Sequence, residues 1–153
     1  MRELRGRDTI SGNKGTAYVK FDGENKELFY AKSITAKVSK TKSALNPIGY
    51  GLKKHKSTAR GEGTGTLVLY YLSPFFREKI IEWKKTGQDI YFDLVVTNSD
   101  PETEAGEQTV LLRDCNVDEV IMTQLDGSAE DVLEEELPFT FDDVEILTPF
   151  KEI

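Results

Sequence analysis

The feature that most constrains the fold is an alternation of apolar and polar residues with a period of two, which recurs along the chain. Successive side chains of a strand point to opposite faces of a sheet, so this alternation predicts half-buried β-strands. In the segment EEELPFTFDD at 134–143, Leu137, Phe139 and Phe141 share one face and the residues between them share the other. Six such segments predict strands, at 15–21, 28–40, 63–72, 88–98, 109–125 and 136–146.

Two of these segments predict irregular strands. The segment 109–125 is long enough for one bent strand or for two strands with a bulge. Pro138 has no amide N–H to donate, so it favours an edge position or the start of a ladder for the last strand.

One segment, SPFFREKIIEWKKTG at 73–87, predicts a helix. Ser73 is a candidate N-cap, Pro74 suits the first helical position, and Gly87 comes just past the end. An apolar stripe runs along one side, formed by Phe76, Ile80 and Trp83. The predicted fold is therefore mainly β, a sandwich or barrel of two packed antiparallel sheets with one flanking helix at about 74–86.

Length and composition predict one soluble domain spanning residues 1–153, because 38% hydrophobic residues in a chain of this length can form a real core. The densest apolar stretch, TLVLYYL at 66–72, is too short to span a bilayer, so we expect no membrane anchoring. Residues 1–15 contain no apolar signal region, so export by a signal peptide is not expected. Cys115 is the only cysteine, which favours a reducing place of synthesis.

Charge is distributed very unevenly along the chain. The stretch 28–61 has no acidic residue and a local charge of +8, whereas the stretch 114–153 has a local charge of −12. Opposed charges on one molecule suit head-to-tail association of identical copies. Solvated loops whose charge only maintains solubility would give the same pattern, and the charges alone leave both interpretations open.

The sequence predicts a long loop at about 41–60, TKSALNPIGYGLKKHKSTAR, between the second and third strands. Connections of this length are uncommon in compact domains and are usually functional or disordered. Leu45, Ile48, Tyr50 and Leu52 lie among its lysines, and such apolar side chains need a surface to cover them. The loop's charge also allows a second interpretation, in which it binds nucleic acid and Tyr50 stacks on a base.

No motif predicts catalysis, a cofactor or a metal site. His55, the only histidine, lies in the lysine run KKHK without partners for a triad or a zinc site. Cys115 lies between Asp114 and Asn116 in a predicted strand. Nearby negative charge raises the pKa of a thiol and makes it a poor nucleophile. The segment GEGTGT at 61–66 leads into a strand rather than a helix, so its glycines indicate close backbone approach rather than a phosphate loop. We therefore expect a protein that is not an enzyme.

Three segments together resemble a known family: DTISGNKGTAYV at 8–19, KVSKTKSALNPIGYGLKKHKSTARGEGTGTL at 37–67 and EEELPFTFDDVEI at 134–146. Their order and spacing resemble the tail tube proteins of contractile phage tails, and among these the XkdM-like family of phages, defective prophages and phage-tail-like bacteriocins. The resemblance covers roughly residues 8–147 and departs from the usual pattern at NPIGYGLKKHK.

The resemblance implies a structural subunit made in the bacterial cytoplasm and located in the inner tube of a tail. Hexameric rings would stack into a hollow tube that is driven through an envelope when the sheath contracts. The implied partners are further copies of the chain, the sheath, baseplate or initiator proteins and the tape measure, with DNA as a candidate passenger in the lumen. The alternative is a monomeric binding module whose basic loop docks nucleic acid or an acidic partner.

For a tube subunit, the resemblance implies contacts with neighbours through an N-terminal arm at 1–8, the loop at 41–60 and a C-terminal tail at 147–153. We expect the loop to be unordered before assembly, since ordering it would then be an entropic barrier to premature polymerisation. The acidic run, residues 134–136, then has two candidate roles: contact with the basic loop of a neighbouring copy, or lining of the channel, where an anionic wall repels DNA phosphate. Its position at the entry of a strand rather than along its face favours the contact. The candidate interface residues are Lys40, Lys42, Tyr50, Lys53, Lys54, Lys56, Arg60, Glu134, Glu135 and Glu136.

Overall fold

Most of the chain is β-strand, as the alternation predicts. The computed structural model describes residues 15–21, 24–28, 31–49, 51–100, 106–128 and 132–150. These ranges contain eight strands and one helix: β1 (Gly15–Phe21), β2 (Glu24–Glu27), β3 (Ala31–Leu45), β4 (Lys54–Tyr70), α1 (Phe75–Thr86), β5 (Phe92–Ser99), β6 (Glu107–Val117), β7 (Glu134–Phe141) and β8 (Asp143–Thr148). No helix among these residues is long and apolar enough to cross a membrane.

The strands form one antiparallel sheet in the order β2-β1-β5-β6-β7-β4-β3, with β8 also paired to β6. The mainly β fold with one helix is confirmed, and the two predicted sheets are the two halves of this continuous sheet. Strand β6 joins the halves, because residues 109–113 pair with β8 whereas Asn116 and Val117 pair with β7.

A bulge in β6 marks the place where the halves meet. Leu94 pairs with Leu112 and Phe92 pairs with Cys115, so β6 has one more residue than β5 between these pairs. Asp114 adopts a φ of 54°, and its N–H donates to Asp93 Oδ1 at 3.2 Å. The predicted bulge is confirmed, but the strand ends at Val117 rather than at residue 125.

Both halves of the sheet bury side chains in one core. The inward-facing residues of β7 are confirmed, since Leu137, Phe139 and Phe141 are all buried. Other buried side chains of the cluster come from all parts of the chain: Val19, Leu28, Leu67, Leu69, Phe76, Phe92, Leu94, Leu112 and Cys115. Burying both inner faces in one cluster is the usual solution for sheets packed face to face.

Helix α1 begins at Phe75, one residue after the predicted start, and Pro74 rather than Ser73 holds the capping position. Ser73 Oγ still accepts a hydrogen bond from the Phe75 N–H at 3.3 Å, so it satisfies one of the first free amides. Gly87 ends the helix with a left-handed φ of 72°, as predicted. Phe76 from the apolar stripe is buried, whereas Trp83 remains 46% exposed.

The last predicted strand, 136–146, is two strands with Asp142 between them. The Asp142 N–H donates to Arg113 O, close to the bulge in β6, so the chain passes there from one half of the sheet to the other. Strand β7 lies between β4 and β6, so the edge position predicted for Pro138 is wrong, and Pro138 pairs with Thr66 within the β4–β7 ladder. On the β6 side it lies just before the short ladder, which pairs only Phe139 and Thr140. This agrees with a proline at the start of a ladder.

The prediction of a loop over residues 41–60 is wrong. Strands β3 and β4 extend through most of this segment, and the stretch without strand is 46–53. The alternation that marks a strand comes from burying one face, and this hairpin buries neither, so its sequence carries no such alternation. Strand β8 extends through Thr148 into the predicted C-terminal tail, while residues 1–8, Tyr50 and residues 151–153 lie outside the described part of the chain.

Candidate functional site

The outer part of the β3–β4 hairpin, residues 40–61, projects beyond the sheet and is called the arm here. Strand β7 pairs with β4 only from Gly63 to Tyr70, so within the described ranges the two arm strands pair only with each other. Lys42 pairs with Ser57 and Leu45 with Lys54 near the tip. Isolated two-stranded hairpins are marginally stable in water, so the arm is a segment that gains from contact with another surface.

The pairing of the two strands is irregular at the base of the arm. The pairing shifts between Lys40, which faces Gly61, and Lys42, which faces Ser57. Thr58 Oγ1 donates to Thr41 O at 2.9 Å across this shift. A shift of this kind bends and twists a strand pair, so it sets the direction in which the arm leaves the sheet.

The arm brings together the predicted basic residues. Their side chains all lie exposed on it: Lys40, Lys42, Lys53, Lys54, Lys56 and Arg60. A negatively charged partner would relieve their mutual repulsion, and lysines on an unpaired strand edge also discourage indiscriminate strand pairing.

Apolar side chains form the tip of the arm. Ile48 is 100% exposed, Leu52 is 81% exposed and Leu45 is 52% exposed. Single exposed apolar residues are common, but three within one short hairpin turn are typical of an interaction site. The arm therefore combines an apolar tip with cationic sides.

The structure does not treat the three predicted glutamates alike. Glu134 Oε1 lies 2.6 Å from Lys32 Nζ in an exposed ion pair, and Glu136 is exposed. Glu135 is only 1% exposed and forms an ion pair with Arg77 of α1. Glu134 and Glu136 thus remain candidate interface residues, whereas Glu135 holds the helix to β7 within the subunit.

The Arg77–Glu135 pair is the most strongly buried charge in the described part of the chain. Arg77 Nη1 donates to Glu135 Oε2 at 2.5 Å, and Nη2 donates to Ser73 O at 2.7 Å. The guanidinium also lies 4.5 Å from the centroid of the Tyr71 ring. Burial raises the pKa of the Glu135 carboxyl, and the Arg77 charge opposes that rise.

The arm and the acidic run lie toward opposite ends of β4. Gly63, next to the arm, pairs with Phe141, whereas Tyr70 pairs with Glu134. A strand rises about 3.3 Å per residue, so these two pairs are about 23 Å apart, and the arm projects further away. One subunit therefore does not bring its own basic tip to its own acidic run.

An exposed apolar surface, which the sequence did not predict, surrounds the acidic end. Leu72 is 65% exposed, Val132 is 68% exposed and Leu125 is 95% exposed, and these three residues are called the end patch here. The Tyr71 N–H donates to Leu133 O, and Gln124 Nε2 donates to Glu134 O at 2.8 Å, which holds the three segments together. The sequence predicts Leu72 and Leu125 at the ends of strands, where an apolar residue indicates core rather than surface.

The residues considered for chemistry have ordinary structural surroundings. His55 is exposed on the arm opposite Ala44, and the described residues contain no cluster of His, Cys, Asp and Glu suited to a metal ion. Cys115 is fully buried in the core, where burial and then the Asp93 charge raise the pKa of its thiol to about 12. A thiol with such a pKa is a poor nucleophile.

Cys115 is therefore expected to resist an aromatic disulfide reagent in the folded protein. At pH 8 a pKa of about 12 lowers the thiolate fraction on the order of a thousandfold relative to an unfolded cysteine. The measurement is the rate of thiol release at pH 8 with and without urea. One thiol per chain should react at once in urea and slowly without it, and equal rates would contradict the buried position.

Comparison with known proteins gives the same architecture. The family model described as phage tail tube protein matches residues 2–148. Phage-like element PBSX protein XkdM of Bacillus subtilis strain 168 is 36% identical over 143 residues, which cover 94% of this chain and 93% of that protein.

Two solved structures are similar in fold. A chain of the sheath/tube terminator of an extracellular contractile injection system aligns with a TM-score of 0.67 over 92% of this chain and 97% of that chain, at 12% identity. A chain of the sheath–tube complex of such a system, in its extended state, gives a TM-score of 0.62 over 90% of each chain, at 13% identity.

Proposed function

The chain belongs to the phage tail tube protein family, and we propose that it is a subunit of the inner tube of a contractile phage tail or a phage-tail-like bacteriocin. In this proposal six copies form a ring, and rings stack into a hollow tube. The tube is driven through the target envelope when a surrounding sheath contracts. The resemblance to tail tube proteins is confirmed, and both the family and the fold are those of structural proteins.

The observation that carries the proposal is the arm. A hairpin with no other strand partner in the described ranges and a fully exposed Ile48 at its tip gains stability once a second molecule covers it. Because every copy carries the arm, association through it repeats from copy to copy. A heterologous contact of this kind generates rings or open stacks, which are the two elements of a tube.

Charge supports the same association. The cationic sides of the arm suit the exposed carboxylate of Glu136 on a neighbouring copy, and also the partly exposed carboxylate of Glu134, which pairs with Lys32 of its own subunit. Glu135 does not take part in the proposed contact, because its carboxylate is buried against Arg77. The proposed contact therefore includes two of the three glutamates of the run.

The remaining partners follow from the tube. The proposal places the sheath outside the tube, baseplate or initiator proteins at its end and the tape measure within it, with DNA passing through the lumen if the particle is a phage. The subunit would be made in the bacterial cytoplasm and would act in the tail or tail-like particle. The relatives' own descriptions, which include a sheath–tube complex, support this placement.

Truncation of the arm tests the proposed function. We expect the full chain to form hollow particles with six subunits per ring, seen by negative-stain electron microscopy, and masses in multiples of six. Replacing residues 41–60 by a two-residue Asn-Gly turn keeps the pairing of Lys40 with Gly61. The shortened chain should stay folded and form no tubes, because the arm contacts no other strand in the described ranges. Circular dichroism before and after heating checks that the fold is retained.

Two results would count against this function. One is a full chain that stays monomeric across a concentration series, and the other is a truncated chain that assembles as well as the full one. A monomer would favour the alternative of a binding module whose basic arm docks nucleic acid, and gel shifts with single-stranded and duplex DNA would then test it. The apolar tip favours a protein partner, because contact with nucleic-acid phosphates would not bury the exposed side chains of Ile48 and Leu52 in an apolar environment.

A further inference from the structure

We propose that the apolar tip of the arm docks on the end patch of another copy, so that this contact joins successive rings along the tube axis. The tip consists of Leu45, Ile48 and Leu52, and the end patch consists of Leu72, Leu125 and Val132. This inference rests on the proposed function, since it assigns the contact that stacks the rings. In this contact the burial of apolar side chains supplies most of the stability, and the surrounding charges set the orientation.

The apolar side chains of the tip and of the end patch are both exposed in a single copy. The three tip residues are 52%, 100% and 81% exposed, and the three patch residues are 65%, 95% and 68% exposed. Both clusters therefore present most of their apolar surface to water in a single copy. Burying such side chains against each other is the largest favourable term available to either cluster.

The surroundings of the two clusters are complementary. Lys53, Lys54 and Lys56 flank the tip, whereas Glu134 and Glu136 lie beside the end patch. An apolar centre with a charged rim is the usual anatomy of a protein interface, and opposite rims fix its orientation. Two tips or two end patches would instead bring like charges together.

The two clusters lie at opposite ends of the subunit, so the contact is head-to-tail. The tip extends from the Gly63 end of β4, whereas the end patch lies at the Tyr70 end, next to Glu134. Complementary surfaces at opposite ends of a subunit join successive copies in the same orientation and leave both ends open to further growth. Such a contact suits stacking of rings rather than closure of one ring.

Strand β8 is the strongest competing acceptor. It also combines apolar and acidic side chains, with Ile146 57% exposed, Leu147 51% exposed and Glu145 beside them. Glu145 pairs with Arg113 at 2.9 Å, and Glu134 beside the end patch pairs with Lys32 at 2.6 Å, so ion pairs within the subunit do not distinguish the two acceptors. The chain reaches β8 from Phe141, which pairs with Gly63 next to the arm, so contact through β8 would not join opposite ends of two copies.

Substitution of the end patch separates stacking from ring formation. We expect Leu125→Ser with Val132→Ser to leave hexameric rings intact and to raise the concentration needed for stacking by about tenfold or more, the ratio expected for losing one buried leucine. Ile48→Ser with Leu52→Ser should have the same effect from the other side. The matched control is Ile146→Ser with Leu147→Ser, which should stack as the unsubstituted chain does.

Covalent trapping identifies the contact directly. Leu52→Cys with Leu125→Cys, assembled under reducing conditions and then oxidised with diamide, should give a ladder of disulfide-linked chains on denaturing gels. Each single substitution and the pair Leu52→Cys with Leu147→Cys should give no ladder. Cys115 can remain, because it is fully buried.

The outcomes distinguish this contact from the proposed function. Stacked rings without a ladder from the first pair, or with a ladder from Leu52→Cys with Leu147→Cys, would overturn the end patch as the acceptor and leave the tube subunit intact. Absence of rings and tubes from the unsubstituted chain would overturn the proposed function and this contact together.

Discussion

Gly65→Val is expected to lower the free energy of unfolding by about 3 kcal/mol, at the upper end of the usual cost of overpacking a core. Gly65 pairs with Phe139 across β4 and β7. A Cβ atom there would lie 2.5 Å from Cζ of the buried Phe139 ring and 2.7 Å from the backbone oxygen of Thr35. The ring could shift, but the strand carbonyl cannot move without disturbing the β3–β4 ladder. Urea unfolding of dilute protein, followed by circular dichroism, measures the loss.

Gly127→Val provides the matched control. Apart from its chain neighbours, no described residue has an atom within 4 Å of a Cβ at Gly127, and its φ is not in the left-handed region, so the expected change is within about 0.5 kcal/mol. Adding Phe139→Leu to Gly65→Val should cost less than the sum of the two single changes, because the smaller side chain relieves part of the clash. Strict additivity, or a Gly65→Val variant as stable as the control, would show that Gly65 is not needed for the approach of the Phe139 ring.

The close approach at Gly65 illustrates what the sequence could predict. The glycines of GEGTGT indicated close backbone contact, and the alternation of ELPFTF placed Phe139 on the buried face; both follow from local rules and both are confirmed. Helix α1 was predictable for the same reason, since a terminal glycine and an apolar stripe are local signals.

The arm was missed because its strands have no buried face. Residues 41–45 and 54–60 show no alternation of apolar and polar side chains, so the sequence does not mark them as strands. Only their pairing with each other in the structure does so. The lysines and apolar residues of the arm were still recognised as a candidate interaction surface. Composition predicted the candidate surface, which stays a prediction, whereas its shape depended on the tertiary structure.

The acidic run was misread for a different reason. Three consecutive glutamates look equivalent in a sequence, but residues of a strand alternate between faces, and the middle one lies on the face of Leu137. Glu135 can be buried only because Arg77, 58 residues earlier in the chain, reaches it from α1. A partner so distant in sequence has no local signal, so the division of the run between surface and interior needed the structure.

The buried pair gives the second large effect. Arg77→Met is expected to lower the free energy of unfolding at pH 7 by about 3–5 kcal/mol, the usual cost of leaving one member of a buried ion pair without its partner. Methionine retains much of the packing of the arginine stem, but it has no positive charge to balance the Glu135 carboxylate. The Glu135 carboxylate, 1% exposed, would then remain charged in the core or have to take up a proton. Urea unfolding at several pH values measures both effects.

The pH dependence distinguishes a lost charge partner from lost packing. The pKa of Glu135 is already raised by burial, and removing Arg77 removes the charge that opposes this rise. A carboxyl whose pKa is higher in the folded than in the unfolded chain binds protons preferentially in the folded state, so its contribution to stability falls as the pH rises through that folded pKa. The loss caused by Arg77→Met should therefore be smaller at pH 5 than at pH 7, and a variant too unstable at pH 7 can be compared at pH 5.

Two further variants complete the argument. Arg113→Met breaks an ion pair with Glu145, but both side chains are about half exposed, so water screens the pair and the expected loss is much smaller than that of Arg77→Met at either pH. Adding Glu135→Gln to Arg77→Met removes the buried charge and should recover part of the stability at pH 7 and little at pH 5. If Arg77→Met costs no more than Arg113→Met, or costs the same at both pH values, the pair does not hold α1 to β7 through its charge.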